Sequence, residues 1–227
     1  MLERGTVKEL IDQSLSKGIF GEGFEFRAGQ REVIEAICNH YIEDPQGTII
    51  LDAPTGSGKS LIAMWSAHIL KELGKRGYLV TSDLMLQDQY EEDFKRLKLN
   101  WPSIRGVDNY TCSVNDLPFS LADCKMKGIG YEAAEKLKCW GTCGYLQGRR
   151  RAKELPVALF NYSYYLIQRN YVEDKMQEQD REIPFPIRDF VFFDEAHKVD
   201  SIVQSHFSPR IDMGTPKLFK EVNKFLQ

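Results

Sequence analysis

The stretch "GTIILDAPTGSGKSLIAMWSAHILKEL" (residues 47–73) restricts the fold more than any other part of this chain. It opens with an apolar run, passes through a turn of small residues, and continues as a segment that is apolar nearly all round until Gly74 stops it. A helix apolar on every side has to be covered on every side, and a short apolar run bounded by a turn suits a strand buried on both faces. The expectation is a buried strand feeding a buried helix. The same alternation returns downstream. "GYLVTS" reads as a strand, and "LMLQDQYEEDFKRL" as a helix with Leu86, Tyr90, Phe94 and Leu97 on one side. "PVALF" follows as strand, "NYSYYLIQRN" as helix, and "FVFFDEAH" as strand and turn. Strands alternating with helices predict an α/β chain with a parallel sheet of doubly wound type. Two amphipathic helices precede the sheet, one carrying Val7, Leu10, Ile11 and Leu15, the other Val33, Ile34, Ile37, Cys38, Tyr41 and Ile42. Cys38 falls on that apolar stripe and reads as a core thiol. "EDKMQEQDRE" (173–182) is polar throughout and is expected to be exposed.

The chain has 227 residues, 42% hydrophobic and 28% charged, which suits a soluble globular protein with one large domain, or one domain with an insertion. There is no apolar run long enough to span a bilayer, and "MLERGTVKEL" has none of the organisation of a secretory signal. The expected location is intracellular: cytoplasmic, or nuclear in a eukaryote. In a reducing compartment clustered cysteines bind metal more often than they form disulfides. The net charge of −3 argues against a protein that coats nucleic acid, but the charge is uneven. Between 121 and 153, eight basic side chains face three acidic ones, a local balance of +5. A patch of that kind attracts phosphates.

"APTGSGKS" (53–60) lies between a predicted strand and a predicted helix, the setting a phosphate-binding loop needs. The candidate nucleotide contacts are Ala53, Pro54, Thr55, Gly56, Ser57, Gly58, Lys59 and Ser60. The glycines let backbone N–H groups turn onto a β-phosphate, and the helix N-terminus adds positive potential. Lys59 would reach the β- and γ-phosphates, and the Ser60 hydroxyl would ligate Mg²⁺. Ala53 stands where the usual pattern has its first glycine. In "VFFDEAH" (191–197), two carboxylates follow apolar residues at a strand end. Asp194 is expected to hold the Mg²⁺ through water, and Glu195 to orient or deprotonate the attacking water. Upstream, "FRAGQ" (26–30) offers Gln30 for a bidentate pair with adenine N6 and N7, and Arg27 to stack or contact phosphate.

Between about 104 and 144 the periodic signal fades and four cysteines appear, Cys112, Cys124, Cys139 and Cys143, separated by 11, 14 and 3 residues. Four thiolates from one loop can close on a tetrahedral zinc or on a [4Fe–4S] cluster, and the ligand set does not choose between them. Length independently supports an insertion. Lys59 and Asp194 are 135 positions apart, whereas three strand–helix steps at roughly 30 residues each need about 90.

"APTGSGKS" with "DEAH" resembles the superfamily 2 helicases, and further pieces resemble the DinG/XPD group of iron–sulfur DNA helicases. These are "FRAGQ", "TSDLMLQDQ" (81–89) as motif Ia, "GVDNYTC" (106–112) leading into the first cysteine, "NYSYYL" (161–166), and the DEAH box, in the family's order. The resemblance implies a RecA-like P-loop NTPase domain interrupted by a small cysteine-rich iron–sulfur insertion. It implies ATP-dependent 5′-to-3′ movement on single-stranded or forked DNA, with Mg²⁺ and a [4Fe–4S] cluster; zinc is the lesser possibility. Motif Ia places Thr81 and Ser82 near DNA phosphate. Arg105, Tyr110, Arg149 and Arg150 are further DNA candidates, Asn161 and Tyr162 could line the strand path, and Trp140 is expected to pack against the metal knob. "QGRRR" (147–151) echoes an arginine finger but lies before the DEAH box, on the wrong lobe.

The expected organisation is 1–103 as the first part of the RecA-like domain, 104–150 as the insertion, and 151–200 as the rest of that domain. Residues 201–227 are then the start of a following segment, with a truncated arch-type insertion as one reading. No motif III and no second RecA lobe follow, so a partner lobe in cis or trans is expected, and hydrolysis by this chain alone should be slow. Two alternatives stay open. One is a metal-containing DNA-binding module or regulatory subunit that does not translocate; the other is an RNA-dependent ATPase.

Overall fold

The computed structural model describes residues 5–126, 136–169 and 185–207. Four parallel strands form one sheet in the order β2-β3-β1-β4. They are β1 (Gly77–Thr81), β2 (Ser103–Ile104), β3 (Val157–Asn161) and β4 (Phe190–Phe193). β1 pairs with β3 from Gly77↔Val157 to Thr81↔Asn161, and with β4 from Gly77↔Phe190 to Val80↔Phe193. The central strands β1 and β3 are buried at every residue, which is why their sequences run apolar without a break.

Side chains alternate across a strand, and the two faces of the sheet build two cores. Leu79, Val157 and Leu159 face a cluster containing Val7, Ile11, Ile34, Trp65, Tyr90 and Phe94. This cluster belongs to helices α1 (Gly5–Ser16), α2 (Gln30–Glu43), α3 (Lys59–Glu72) and α4 (Leu84–Arg96). Trp65 is fully buried and stacks on Phe20 at 4.0 Å. Cys38 lies in the same core, as expected, and burial pushes its thiol up to about 12. On the other face Tyr78, Val80, Ile104, Ala158 and Phe160 meet Cys112, Phe119, Cys143, Tyr145, Leu146 and Tyr162.

The cysteine-bearing segment is spliced into the crossover from β2 to β3. A turn closes through an antiparallel bridge between Thr111 and Pro118, and the short helix α5 (Asp123–Met126) follows. The crossover ends in α6 (Gly144–Glu154), which packs on β2 and β3. This helix runs through position 150, where the sequence suggested that the insertion ends, so its second half and the knob share one element. Helix α7 (Tyr162–Ile167) follows β3, and α8 (Val199–Phe207) follows the acidic turn after β4. The polar stretch 173–182 lies outside the described residues.

One expectation fails. Residues 48–53 form no strand, and Ile50 is 89% exposed beside half-exposed Ile49 and Leu51. An apolar run becomes a strand only where a neighbour accepts its backbone hydrogen bonds. Among the described residues β4 is the last strand on its side of the sheet, with Phe193 46% exposed. Its outer edge has no partner among those residues, and 48–53 does not pair with it.

Candidate nucleotide site

Parallel strands end at one edge of a sheet, and the turns that follow collect there. The phosphate-type loop and the acidic turn meet at that edge. The Ser60 hydroxyl donates to Asp194 Oδ2 at 3.0 Å across 134 positions of sequence. Gly56 and Gly58 both hold φ of 82°, the left-handed region that a glycine enters without strain. α3 begins at Lys59 with no side-chain cap, so its first N–H groups have no intrahelical acceptor. Pro54, Thr55 and Gly56 are exposed. The Lys59 ammonium donates to the carbonyls of Ala53 (3.0 Å) and Pro54 (3.4 Å), folded over the loop that a phosphate would occupy.

Gln30 and Arg27 hold that loop. The Gln30 amide donates to Ser57 O at 2.9 Å and accepts from the Arg27 N–H at 2.9 Å, and the Arg27 guanidinium donates to Gly56 O at 2.6 Å. Gln30 is 4% exposed, and a Cβ on Gly58 would come within 2.5 Å of its Nε2. Both polar ends of the side chain expected to read adenine are therefore engaged by backbone.

Asp194 is the hub. Its Oδ2 also accepts from Tyr90 at 2.8 Å, its Oδ1 accepts from the Glu195 N–H at 3.0 Å, and its carbonyl accepts from Tyr162 at 3.1 Å. Glu195 adopts φ 57°, ψ 42°, a left-handed conformation costly for a residue with a Cβ and found most often where function fixes the backbone. Its Oε2 lies 3.4 Å from His197 Nδ1. Lys198 donates to Ser82 Oγ (3.2 Å) and to Asp83 Oδ2 (3.3 Å), and Asp83 caps α4 through the Leu86 N–H. That backbone bond, aided by the hydroxyl of Ser82 and by Lys198, holds the Asp83 carboxyl below its ordinary range.

The donor set fits a nucleotide with a hard cation: an uncapped helix start, a lysine, a hydroxyl and a carboxylate on the same point. Ser60 and Asp194 would hold the cation. The thiols are less complete. Cys112 and Cys143 are buried in the same core, Cys124 packs against it, and Cys139 is half-buried. The two cysteine segments touch where Ser113 Oγ lies 3.3 Å from Thr142 Oγ1. Burial pushes the Cys143 thiol up, the N–H groups of Leu146 and Tyr145 pull it back, and Cys139 and Cys124 add in the direction of burial. Yet among the described residues no three His, Cys, Asp or Glu side chains form a group that could hold a metal.

The expected DNA contacts differ in how far each is exposed. Thr81 is fully buried and its Oγ1 has no partner among the described residues, so of the motif Ia pair only Ser82 is accessible. Arg105 donates to Asp88 (2.5 Å) and to Glu91 (2.6 Å), two carboxylates of α4 that neutralise it. The Tyr110 hydroxyl accepts from the Arg105 N–H, and its ring packs edge-on against Tyr145. The Arg149 guanidinium lies over the rings of Tyr145 and Phe185, whereas Arg150 is exposed and pairs with Glu154. Asn161 caps α7 and Tyr162 is 1% exposed, so both serve the interior; half-buried Trp140 packs against the knob's core. Sequence reading missed Tyr90, Lys198 and also Gln87, which is fully buried and bonds Ser103, Ile104 and Asn161 across the strand ends. The glutamines of "LQDQ" were the available signal.

The chain belongs to the family described as type III restriction enzyme, res subunit, whose model matches residues 23–218. It carries the ATP-binding part of the superfamily 2 helicases, and the parallel sheet with flanking helices agrees with a RecA-like domain. No curated protein matches the chain. Among the described residues no helix is long and apolar enough to cross a membrane.

Proposed function

We propose that this chain is the ATP-binding motor lobe of a 5′-to-3′ DNA helicase of the DinG/XPD type, which couples ATP hydrolysis to movement along single-stranded or forked DNA. It works with a second RecA-like lobe supplied in cis or trans. The observation that carries the reading is the 3.0 Å bond between Ser60 and Asp194, which joins the loop and the acidic box into one site. Lys59 leaves the loop carbonyls for the β- and γ-phosphates, and the N–H groups at the start of α3 receive phosphate oxygen. Glu195, one residue past Asp194, orients the water that attacks the γ-phosphate and takes its proton. Magnesium, when bound, neutralises charge on the phosphates. Ser82 with Lys198 beside it, and exposed Arg150, are the surface groups for DNA phosphate.

The four cysteines are proposed as ligands of a [4Fe–4S] cluster, with zinc as the alternative occupant. Support comes from Cys112, Cys143 and Cys124 sharing one core and from the N–H groups aimed at Cys143. Coordination requires the thiols to draw closer than they stand.

The test is ATP hydrolysis with the second lobe supplied, with and without single-stranded DNA or RNA, and with Glu195→Gln as control. DNA stimulation that this variant loses by a factor of about 10² or more supports the motor. Nucleotide binding without stimulated turnover would establish a non-translocating module, and stimulation by RNA alone an RNA-dependent ATPase.

A further inference from the structure

Asp194 receives two side-chain donors on one oxygen, and the two differ in what they do when a cation arrives. Ser60 Oγ lies 3.0 Å from Oδ2 and has to turn toward the metal to ligate it. The Tyr90 hydroxyl, 2.8 Å from the same oxygen, has no such second task and is left as the donor that fixes Oδ2. It is also well held. Tyr90 is 3% exposed in the first core, its ring 6.0 Å from Phe94, which in turn meets Trp101 edge-on at 5.3 Å. Tyr90 belongs to α4, the helix that starts at Asp83 under the hand of Lys198.

We propose that Tyr90 is a positioning residue for the cation site, its hydroxyl fixing the Asp194 carboxylate in the orientation that receives magnesium. Groups that orient a metal's carboxylate change metal affinity by about tenfold or more when removed. The inference rests on the ATP reading above.

The experiment is Tyr90→Phe, which keeps the ring and removes one atom, so the core packing stays intact and thermal melting verifies the fold. Binding of a fluorescent ATP analogue is titrated against magnesium, and separately in EDTA. The magnesium midpoint should rise about tenfold while affinity in EDTA is unchanged. A structural defect in the loop would instead weaken binding in both conditions. A phenylalanine variant with the wild-type midpoint, or with equal losses in the two conditions, overturns the proposal. If the wild-type protein binds the analogue equally well with magnesium and in EDTA, the cation-site proposal is overturned; if it binds the analogue in neither condition, it is the nucleotide reading itself that fails.

Discussion

Replacing Gln30 by alanine separates the role its sequence suggested from the one its surroundings give it. The side chain makes two hydrogen bonds of 2.9 Å, one to Ser57 O in the loop and one from the Arg27 backbone, and it is 4% exposed. Each such bond contributes about 1 kcal/mol net, so the alanine variant should loosen the loop by about 2 kcal/mol. If nucleotide binding has to restore that order, affinity falls by as much as roughly 30-fold, at about 1.4 kcal/mol for each factor of ten. Because the lost bonds reach only backbone, of the loop at Ser57 and of Arg27, and no base, the loss should be common to every triphosphate. Equilibrium titrations with ATP, GTP and inorganic tripolyphosphate measure this directly, and all three should weaken by the same factor. A loss confined to ATP would refute the reasoning and show that Gln30 reads adenine once the nucleotide is bound.

Gly77 pairs with Phe190, and a Cβ there would stand 2.1 Å from the ring, so Gly77→Ala should destabilise the fold by about 2 kcal/mol. Melting should drop by about 4–8 °C, with partial recovery in the double variant with Phe190→Leu; an unchanged melting temperature would contradict the packing. Burial holds His68, whose Nε2 lies 3.0 Å from Ser14 Oγ, at a pKa of about 4, below its ordinary 6.5. The unfolded chain then takes up a proton that the folded chain refuses, so stability is complete above pH 6.5, falls between 6.5 and 4, and is level below. Denaturant midpoints should report a loss of about 2 kcal/mol on going from pH 7.5 to 5, and His68→Asn should flatten that slope. Cys139→Ser should remove bound metal, seen as lost iron or zinc and lost visible absorption, while ATP still binds at Lys59; a variant with undiminished metal would dismiss the four-thiol ligand set.

The strands β1, β3 and β4 were legible because each is an apolar run at a length that fits only a buried strand, with a helix pattern before or behind it. Residues 48–53 carry the same pattern and fail, since sequence reports that a segment wants a lateral neighbour and says nothing of whether one stands there. β2, at two residues, is too short for any period to show. α6 has apolar contacts only at Tyr145, Leu146 and Ala152 amid three arginines, so its helix depends on packing that a local pattern does not display. The loop and the acidic pair were readable because their chemistry needs fixed residue types at fixed spacing. Tyr90 was not, because it lies on the apolar stripe with Phe94 and Leu97 and looks like any core ring. Arg105 and Thr81 show the converse limit: residue type marks a group fit for phosphate, whereas the pairing of Arg105 with Asp88 and Glu91 and the depth of Thr81 in β1 are visible only in the fold.

The splice of the thiol-bearing knob into the β2–β3 crossover has a mechanical side. Tyr145 of α6 meets Tyr110 and Phe119 of the knob, while Leu146 and Ala152 of the same helix lie in the core beneath β2 and β3. With no slack linker at that joint among the described residues, a push on the knob is delivered straight to the sheet, and warming should melt the two together in a single step.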